Sequence, residues 1–378
     1  MQVTLRIPVS WHFFLKQTLD NNPVTFKAVA DYLMINPSTL AKAYKERLSD
    51  FPTWDQKEHA SDWILKEENV GEYMSIDETA PSRGDLFTIL SNKEGHGRKG
   101  TIAATVRGTK SEDLSEVFNR IPEQKRLAVK EVTMDFSDSM SAAVSASFPN
   151  AEQVIDCFHV IQLATTALSE VRMKHKRKAQ AEDAKARREH KKKLKRNDEQ
   201  RKARERKRKA EGREKAPQGR KPNRRNEAYV PPRFSNGDTA VELLTRSRYF
   251  ISQSRDKWTA SQKNRAEILF RKYPDLLIAY ELVNKLRNIF KNKTLTSHTA
   301  SAELKKWYSE VEQSGTKTLM EAADTIQSRE EHVVNYFKNR HTNASAESLN
   351  SKIKGFRSML RGVSDLPFFI YRVATIFG

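Results

Sequence analysis

Short strand-like runs of apolar residues begin at Glu72 and give way to helical spacing further along the chain. Three runs, YMSID, DLFTIL and GTIAATVRG, are separated by the turn-forming stretches SRGD and NKEGHGRKG, which predicts three antiparallel strands. There follow a helix in SEDLSEVFNRI capped by Ser111, a strand in LAVKEVTMD, a helix in SDSMSAAVSASF, a strand in EQVID and a helix in FHVIQLATTALSEVRM. The pattern predicts an α/β fold with the order βββαβαβα.

Helical spacing also marks the N-terminal region. NPVTFKAVADYLMINPSTLAKAYKERL predicts a helix from Thr25 to Leu33, a short break, and a second helix that begins at Pro37. This resembles a helix-turn-helix, although a generic helical hairpin explains the pattern equally well. In a helix-turn-helix the second helix enters the major groove. The candidate DNA contacts would then be Ser38, Thr39, Lys42 and Lys45.

After Pro232 the apolar spacing is helical nearly throughout, and no strand pattern intervenes. The final predicted helix runs from about Ser345 to Leu360 and carries Glu347 in its first turn, with Asn350 and Lys354 on the same face. A glutamate in a first turn ordinarily complements the helix dipole. The position of Glu347 alone therefore does not indicate a chemical role.

The predicted order of strands and helices is that of an RNase H-like domain, in which the first and fourth strands lie side by side and each carries a carboxylate. Asp77 lies in the first predicted strand and Asp135 ends the fourth. A carboxylate at the carboxyl end of a buried strand is held rigidly and faces the region where α/β proteins bind ligands. Asp138 is explained equally well as a helix cap, and strand alternation turns Glu78 away from Asp77.

The net charge of +20 is concentrated in one segment. Between Arg172 and Arg225 there are 26 Lys or Arg against 8 Asp or Glu, so the rest of the chain is nearly neutral. Few large apolar residues interrupt this segment, which predicts either a solvated charged helix or a disordered arm. As a DNA clamp it would neutralise phosphates, each adding about −0.9 to the salt slope of binding. Candidate contacts here are Lys191, Lys192, Lys193, Arg206 and Arg208.

Composition limits the kinds of protein that the sequence can encode. With 378 residues and 37% apolar content the chain can bury a core, and its length suggests two or three domains. The single cysteine, Cys157, excludes an internal disulfide framework and a cysteine-rich zinc module. No apolar run approaches the roughly 20 residues that span a bilayer, and the N-terminus lacks a signal-peptide pattern. We therefore expect a soluble cytoplasmic protein with no membrane partner.

Four motifs occur in the order IDE around Asp77, MDFSDSM around Asp135, FPNAEQVIDCFHVIQL and TNASAESLNSKIKGF around Glu347. Together they resemble the DDE transposases of bacterial insertion sequences, specifically the ISL-three family, whose RNase H-like domain is interrupted by an all-helical insertion. By this resemblance Asp77, Asp135 and Glu347 form the catalytic triad, and the helices from about Val241 to Asn339 form the insertion. Unlike many family members, the chain has no N-terminal cysteine-rich zinc module, and its basic arm is unusually long.

The resemblance implies an enzyme that cleaves and joins DNA strands at element ends in the bacterial nucleoid. The triad would hold two Mg²⁺ ions, replaceable by Mn²⁺, because carboxylates are hard oxygen ligands and a metal pair can activate the nucleophile and stabilise the leaving oxygen. Expected partners are double-stranded DNA of the element ends and target, further copies of the chain, and a separately encoded DNA-recognition protein. Lys352 and Lys354 join the candidate DNA contacts.

Two interpretations of Asp156 and His159 stay open. They could support the catalytic strand or touch the scissile phosphate, or His159 could have only a structural role at the start of its helix. Asn350 is assigned to the same supporting group. A zinc site is not expected, because Cys157 would point to the opposite face of the motif.

The expected domains are a helical DNA-binding region at 1–65, the core in two parts at 72–172 and 341–378, a basic arm or linker at 173–232, and an all-helical insertion at 233–340. Two other functions are compatible with the sequence: a catalytically inactive, transposase-derived DNA-binding regulator, and an RNase H-like nuclease. The complete acidic triad favours an enzyme over the regulator. The Glu347 motif after a helical insertion favours a transposase over the nuclease.

Overall fold

The computed structural model, which describes residues 9–82, 84–212 and 228–378, contains a mixed six-stranded sheet. The strands are β1 (Trp63–Leu65), β2 (Tyr73–Ser82), β3 (Asp85–Asn92), β4 (Ile102–Arg107), β5 (Glu131–Met134) and β6 (Glu152–Ile155). Their order across the sheet is β1-β4-β3-β2-β5-β6. The first four strands pair antiparallel, whereas β5 runs parallel to both β2 and β6. The first and fourth strands of the sequence prediction, β2 and β5, are therefore neighbours.

Helices account for most of the remaining described chain. They are α1 (Val9–Asn21), α2 (Phe26–Tyr32), α3 (Pro37–Ala43), α4 (Ser111–Phe118), α5 (Glu123–Ala128), α6 (Asp138–Ser147), α7 (Cys157–Ala210), α8 (Ala240–Arg246), α9 (Arg248–Ile251), α10 (Ala260–Lys272), α11 (Pro274–Lys291), α12 (Ser297–Ser314), α13 (Lys317–Gln327), α14 (Glu330–Asn339), α15 (Ala344–Met359) and α16 (Leu366–Phe377). Among the described residues, no helix is both long enough and apolar enough to cross a membrane.

The chain divides into two compact units. The sheet unit comprises Met1–Val160, Thr294–Ala302 and Ser328–Gly378, and the helical unit comprises Ile161–Lys293 and Glu303–Gln327. Within the helical unit, the buried Trp307 indole donates to the Leu282 carbonyl at 2.8 Å, which joins α12 to α11.

Strand alternation gives the sheet two differently covered faces. On one face, residues such as Ile76, Val132 and Met134 pack against apolar side chains of α4 and α6. On the other face, residues such as Ile89 pack against α15 and α16. Because Val132 and Met134 point to the α4 and α6 side, Glu131, two residues before Thr133 on β5, points to the opposite side. The helix that carries Glu347 covers this opposite face.

Within the sheet unit, the N-terminal helices pack against α16, and Arg372 of α16 makes several of the contacts. The Arg372 guanidinium, 2% exposed, lies 5.1 Å from the ring centroid of Phe26 and 5.3 Å from that of Tyr44. It also donates to the Leu19 carbonyl at 2.9 Å. The predicted pair of helices is present as α2 and α3, with Asn36 capping α3 through its side chain. Residues 1–8 of the predicted DNA-binding region lie outside the described residues.

The basic segment continues the helix that begins after β6. A single helix, α7, runs from Cys157 to Ala210, so this part of the segment is a charged helix and not a disordered arm. At 1.5 Å per residue it is roughly 80 Å long. Residues 213–227 of the predicted basic arm lie outside the described part of the chain.

Candidate active site at the carboxyl end of the parallel strands

Asp77 and Asp135 lie side by side where β2 and β5 run parallel. Ser75 is paired with Thr133 in the register, and two residues further on each strand reaches an aspartate. The Asp77 carboxylate accepts the backbone N–H of Glu78 at 2.8 Å and the Asn350 side-chain amide at 2.8 Å. Burial raises the pKa of Asp77 and the charge of Asp135 raises it further, which outweighs the opposing effects of these hydrogen bonds and of His159.

Asp135 keeps a carboxylate oxygen without a partner. Its Oδ1 is buried and accepts no hydrogen bond, although buried polar atoms are normally satisfied. The pKa of neighbouring Glu78 is also raised, by burial first and then by the charges of Asp135 and Asp77. Like charges gathered around an unpartnered oxygen fit a site for an external cation. Strand alternation predicted that Glu78 points away from Asp77, and the sequence therefore did not indicate that Glu78 lies close enough for both aspartates to raise its pKa.

The Glu347 helix is attached to the same strand. Asn350, 6% exposed, donates to Asp77 and also to the Glu78 carbonyl at 3.1 Å, so it joins α15 to β2. Two residues on, Lys352 donates to the Gly97 carbonyl at 2.6 Å. Glu347 lies one turn before Asn350 and is exposed to solvent. The Asn350 contacts attach the helix that carries Glu347 to β2 beside Asp77.

Asp156 and His159 meet Glu347 directly. Each of the three offers a ligand atom, and these atoms lie within 4.8 Å of one another; within the described ranges this is the one such group of three. Asp77, Asp135 and Glu347 do not form a group by that criterion. Asp156 is 1% exposed, and its two oxygens accept the backbone N–H of Phe158 and of Asn343, both at 3.0 Å. Its oxygens are therefore already engaged inside the protein.

The predicted DNA contacts differ in availability. Ser38, Thr39, Lys42, Lys191, Lys192, Lys193, Arg206 and Lys354 are exposed, and Arg208 is half-buried. Lys45 pairs with Asp365 and lies 5.5 Å from the ring centroids of Phe51 and Phe368. The Lys352 ammonium is occupied by the Gly97 carbonyl. Lys45 and Lys352 thus make contacts inside the chain that the sequence did not predict.

Comparison with known proteins gives the family. Residues 74–230 and 220–373 match the family model described as transposase, of the DDE type and the ISL-three group. No curated protein and no solved structure matches the chain. The two matched segments cover well over half of the sequence and include Asp77, Asp135 and Glu347. The chain therefore belongs to the DDE transposases of ISL-three insertion sequences, the family that its four motifs resemble.

Proposed function

We propose that the chain cleaves DNA at the ends of its insertion sequence and joins the freed 3′ ends to target DNA, with Asp77, Asp135 and Glu347 as ligands of two Mg²⁺ ions that Mn²⁺ can replace. One observation carries this proposal. Asp77 and Asp135 end up adjacent on parallel strands, where the buried Asp135 oxygen has no partner and Asn350 holds the Glu347 helix against Asp77.

The proposed architecture is an RNase H-like core interrupted by an all-helical insertion. Its support is the parallel pairing of β2 with β5, followed by β6, and the return of α15 to β2 after a long run of helices. The proposed boundaries are 72–172 and 341–378 for the core, 173–232 for the basic arm and 233–340 for the insertion. The region 1–65 is proposed to bind DNA through Ser38, Thr39 and Lys42.

The donor set fits hard divalent cations, because the oxygens at the end of the sheet are carboxylates and one of them lacks a partner. When bound, such a pair of ions neutralises the phosphate, activates a water or 3′-hydroxyl and stabilises the leaving oxygen. Asp77 is held in place by two hydrogen bonds, and Asp135 presents its unpartnered oxygen. Glu347 is exposed on α15, and its ligand atom lies within 4.8 Å of those of Asp156 and His159, so it would complete the metal site from that side.

His159 has a supporting role in this proposal. It lies close enough to Asp77 for its positive charge to lower the pKa of that carboxyl, and close to Glu347 as well. A protonated ring there would stabilise the charged acids and could donate to a phosphate oxygen. The basic helix α7 would follow the DNA backbone through Lys191, Lys192, Lys193, Arg206 and Arg208.

The proposed partners are the double-stranded DNA of the element ends and of the target. Joining two ends requires at least two copies of the chain in a synaptic complex. A separately encoded DNA-recognition protein would be a further partner, and a DNA substrate would locate the enzyme at the bacterial nucleoid.

The test is a strand-transfer assay on a labelled element end with Mg²⁺, comparing the wild type with Glu347→Gln. Loss of a ligand to the metal pair removes several kcal/mol of transition-state stabilisation, so we expect at least a roughly 10³-fold loss of nicking and joining. Glu331→Gln is the matched control, since Glu331 is also an exposed glutamate in a first helical turn. We expect it to retain normal activity.

A Glu347→Gln protein that nicks normally would remove Glu347 from the catalytic set. A wild-type protein that binds the element end without nicking it would favour the regulator. Nicking without joining would favour a nuclease.

A further inference from the structure

Two buried carboxylates hold the segment that leads into α15. Glu131, at the start of β5, is 2% exposed and accepts the Asn339 side-chain amide at 3.0 Å and His341 Nδ1 at 3.0 Å. The Lys93 ammonium donates to the same carboxylate at 2.6 Å. Glu131 therefore fixes the end of α14 and the turn that follows it.

Asp156 holds the next part of this segment. One of its oxygens accepts the backbone N–H of Phe158, in the first turn of α7, and the other accepts the backbone N–H of Asn343, just before α15. The Asp156 N–H itself donates to the Met134 carbonyl at 2.9 Å, next to Asp135. One residue, through its backbone N–H and its carboxylate, thus connects the ends of β5 and β6 with the beginnings of two helices.

The connection continues to the proposed catalytic glutamate. The Asn343 carbonyl accepts the backbone N–H of Glu347 at 2.8 Å, in the first turn of α15. In sequence, Asn343 is 187 residues away from Asp156, so no local constraint relates the position of α15 to the end of β6. Hydrogen bonds from backbone N–H groups to a buried carboxylate are charge-assisted and about twice as strong as neutral ones.

We infer that Asp156 is a positioning residue, which sets where α15 begins and so where Glu347 lies at the proposed metal site. Asp156 lies near His159 and Glu347, but each of its oxygens already accepts a backbone N–H in a buried place where an unsatisfied donor is costly, so its main role is to hold these two N–H groups. It acts on the metal through the position of Glu347. This inference rests on the proposed function for the role of Glu347.

Asp156→Asn is the main test variant, because it keeps the shape of the side chain. The amide has one acceptor oxygen and an NH₂ group that cannot accept, so at most one of the two N–H bonds survives. The matched control is Glu152→Gln on the same strand, whose carboxylate bonds Lys338 of α14 at 2.6 Å on the surface. If Asp156→Asn fails to fold, Asp156→Glu keeps the charge and displaces it by one methylene.

Two readouts are measured on the full chain. Hydrogen exchange without metal reports the amides of residues 343–347 and 158–160, and titration with Mn²⁺ alone reports cation affinity by calorimetry. For Asp156→Asn we expect faster exchange confined to these two helix starts and Mn²⁺ affinity weaker by about 10–100-fold, the usual cost of losing an outer partner of a metal site. Glu152→Gln should match the wild type in both, and Asp156→Glu should fall between.

Unchanged exchange at 343–347, or faster exchange spread evenly over the sheet with unchanged Mn²⁺ affinity, would overturn the inference. Either result would assign Asp156 a general structural role only. Failure of the proposed function gives a different result, because then the wild type itself would not bind Mn²⁺ while the local exchange effect would remain.

Discussion

Two carboxylates on one sheet, Glu131 and Asp77, have pKa values that their surroundings shift in opposite directions. Burial tends to raise the pKa of Glu131, yet the hydrogen bonds from Lys93 and Asn339 and the charges of Lys93 and His341 leave its pKa below the ordinary value. Burial also raises the pKa of Asp77, and there the hydrogen bonds do not compensate for the added charge of Asp135. The acids near the turn into α15 have hydrogen-bond partners within the chain for both oxygens, whereas Asp135, beside Asp77 where β2 and β5 run parallel, has a buried oxygen with none.

This difference in hydrogen-bond partners separates carboxylates that stabilise the fold from carboxylates that could bind an external ligand. A buried carboxylate with a full set of donors stabilises the folded chain in its charged form. Carboxylates that repel each other cost folding free energy until a cation binds them. Partner geometry, more than burial or residue type, therefore distinguishes the two roles.

Glu131→Gln should give the largest change in stability. The substitution leaves the Lys93 ammonium buried without its carboxylate, and breaking one partner of a buried pair costs about 3–5 kcal/mol. Chemical denaturation at neutral pH measures this as a fall in the free energy of unfolding. Because the pKa of Glu131 is lowered in the folded state, its stabilising effect is present above the ordinary carboxylate pKa and is lost as pH falls through the lowered value.

The control for Glu131 is Glu72→Gln, which removes an exposed ion pair with Lys130 at 2.8 Å just before β2 and β5. We expect an unchanged denaturation midpoint for this variant. If Glu131→Gln were as stable as the control, the satisfied group would contribute no more than a surface pair, and the contrast would fail.

Asp135→Asn should have the opposite effect on stability while abolishing nicking. Without metal, the variant relieves the repulsion on Asp77 and should be more stable than the wild type by no more than about 1 kcal/mol, or a few degrees in Tm. The raised pKa of Asp77 means that the repulsion is absent at low pH and appears as pH rises through that pKa. The stability advantage of Asp135→Asn should therefore grow with pH.

Thermal unfolding with and without Mg²⁺ completes this test. Mg²⁺ should raise the Tm of the wild type and leave that of Asp135→Asn unchanged, because a ligand stabilises only the folded form that binds it. A destabilised Asp135→Asn protein would show that Asp135 belongs with the satisfied acids.

The sequence predicted those features that local pattern determines. Strand alternation and end position identified Asp77 and Asp135, and the parallel neighbours β2 and β5 carry them. The three-residue strand β1 and the short helix α5 were missed, since neither is long enough to show a period. For the same reason LAVKEVTMD was wrongly predicted as one strand: its first residues end α5, and β5 is limited to Glu131–Met134.

The bonds that satisfy Glu131 and Asp156 could not be predicted, because they join residues more than 180 positions apart. Glu131 meets Asn339, and Asp156 meets a backbone N–H, which has no sequence signature at all. Glu347 was identified by its motif, but its approach to Asp156 and His159 depends on these long-range contacts. The fold, and not the local sequence, therefore determines which carboxylates find hydrogen-bond donors within the chain.

Replacement of Gly355 by alanine should have the smallest effect on stability of the substitutions compared. It extends the comparison to a residue without charge. Gly355 lies in the middle of α15, exposed, and a methyl group added there would meet no atom of the chain within 4 Å. Glycine inside a helix costs about 0.5–1 kcal/mol relative to alanine. Gly355→Ala should therefore stabilise the protein by that amount in denaturation experiments. As with the unpartnered Asp135 oxygen, the chain bears a cost that no internal contact offsets.

The same substitution should weaken DNA binding. Gly355 lies two turns beyond Glu347 on the solvent side of α15, and a glycine without a neighbour in the protein allows the close approach of a ligand backbone. We expect Gly355→Ala to lower the affinity for a labelled element end by a few-fold, about 1 kcal/mol or less, with unchanged Mn²⁺ binding. Ser309→Ala controls for a change in helix propensity, at an exposed position on α12 whose hydroxyl accepts the Gln313 side chain at 3.1 Å on the surface. Equal DNA affinity in Gly355→Ala and Ser309→Ala would place the DNA away from this side of α15, and the cost of Gly355 would then have no counterpart in binding.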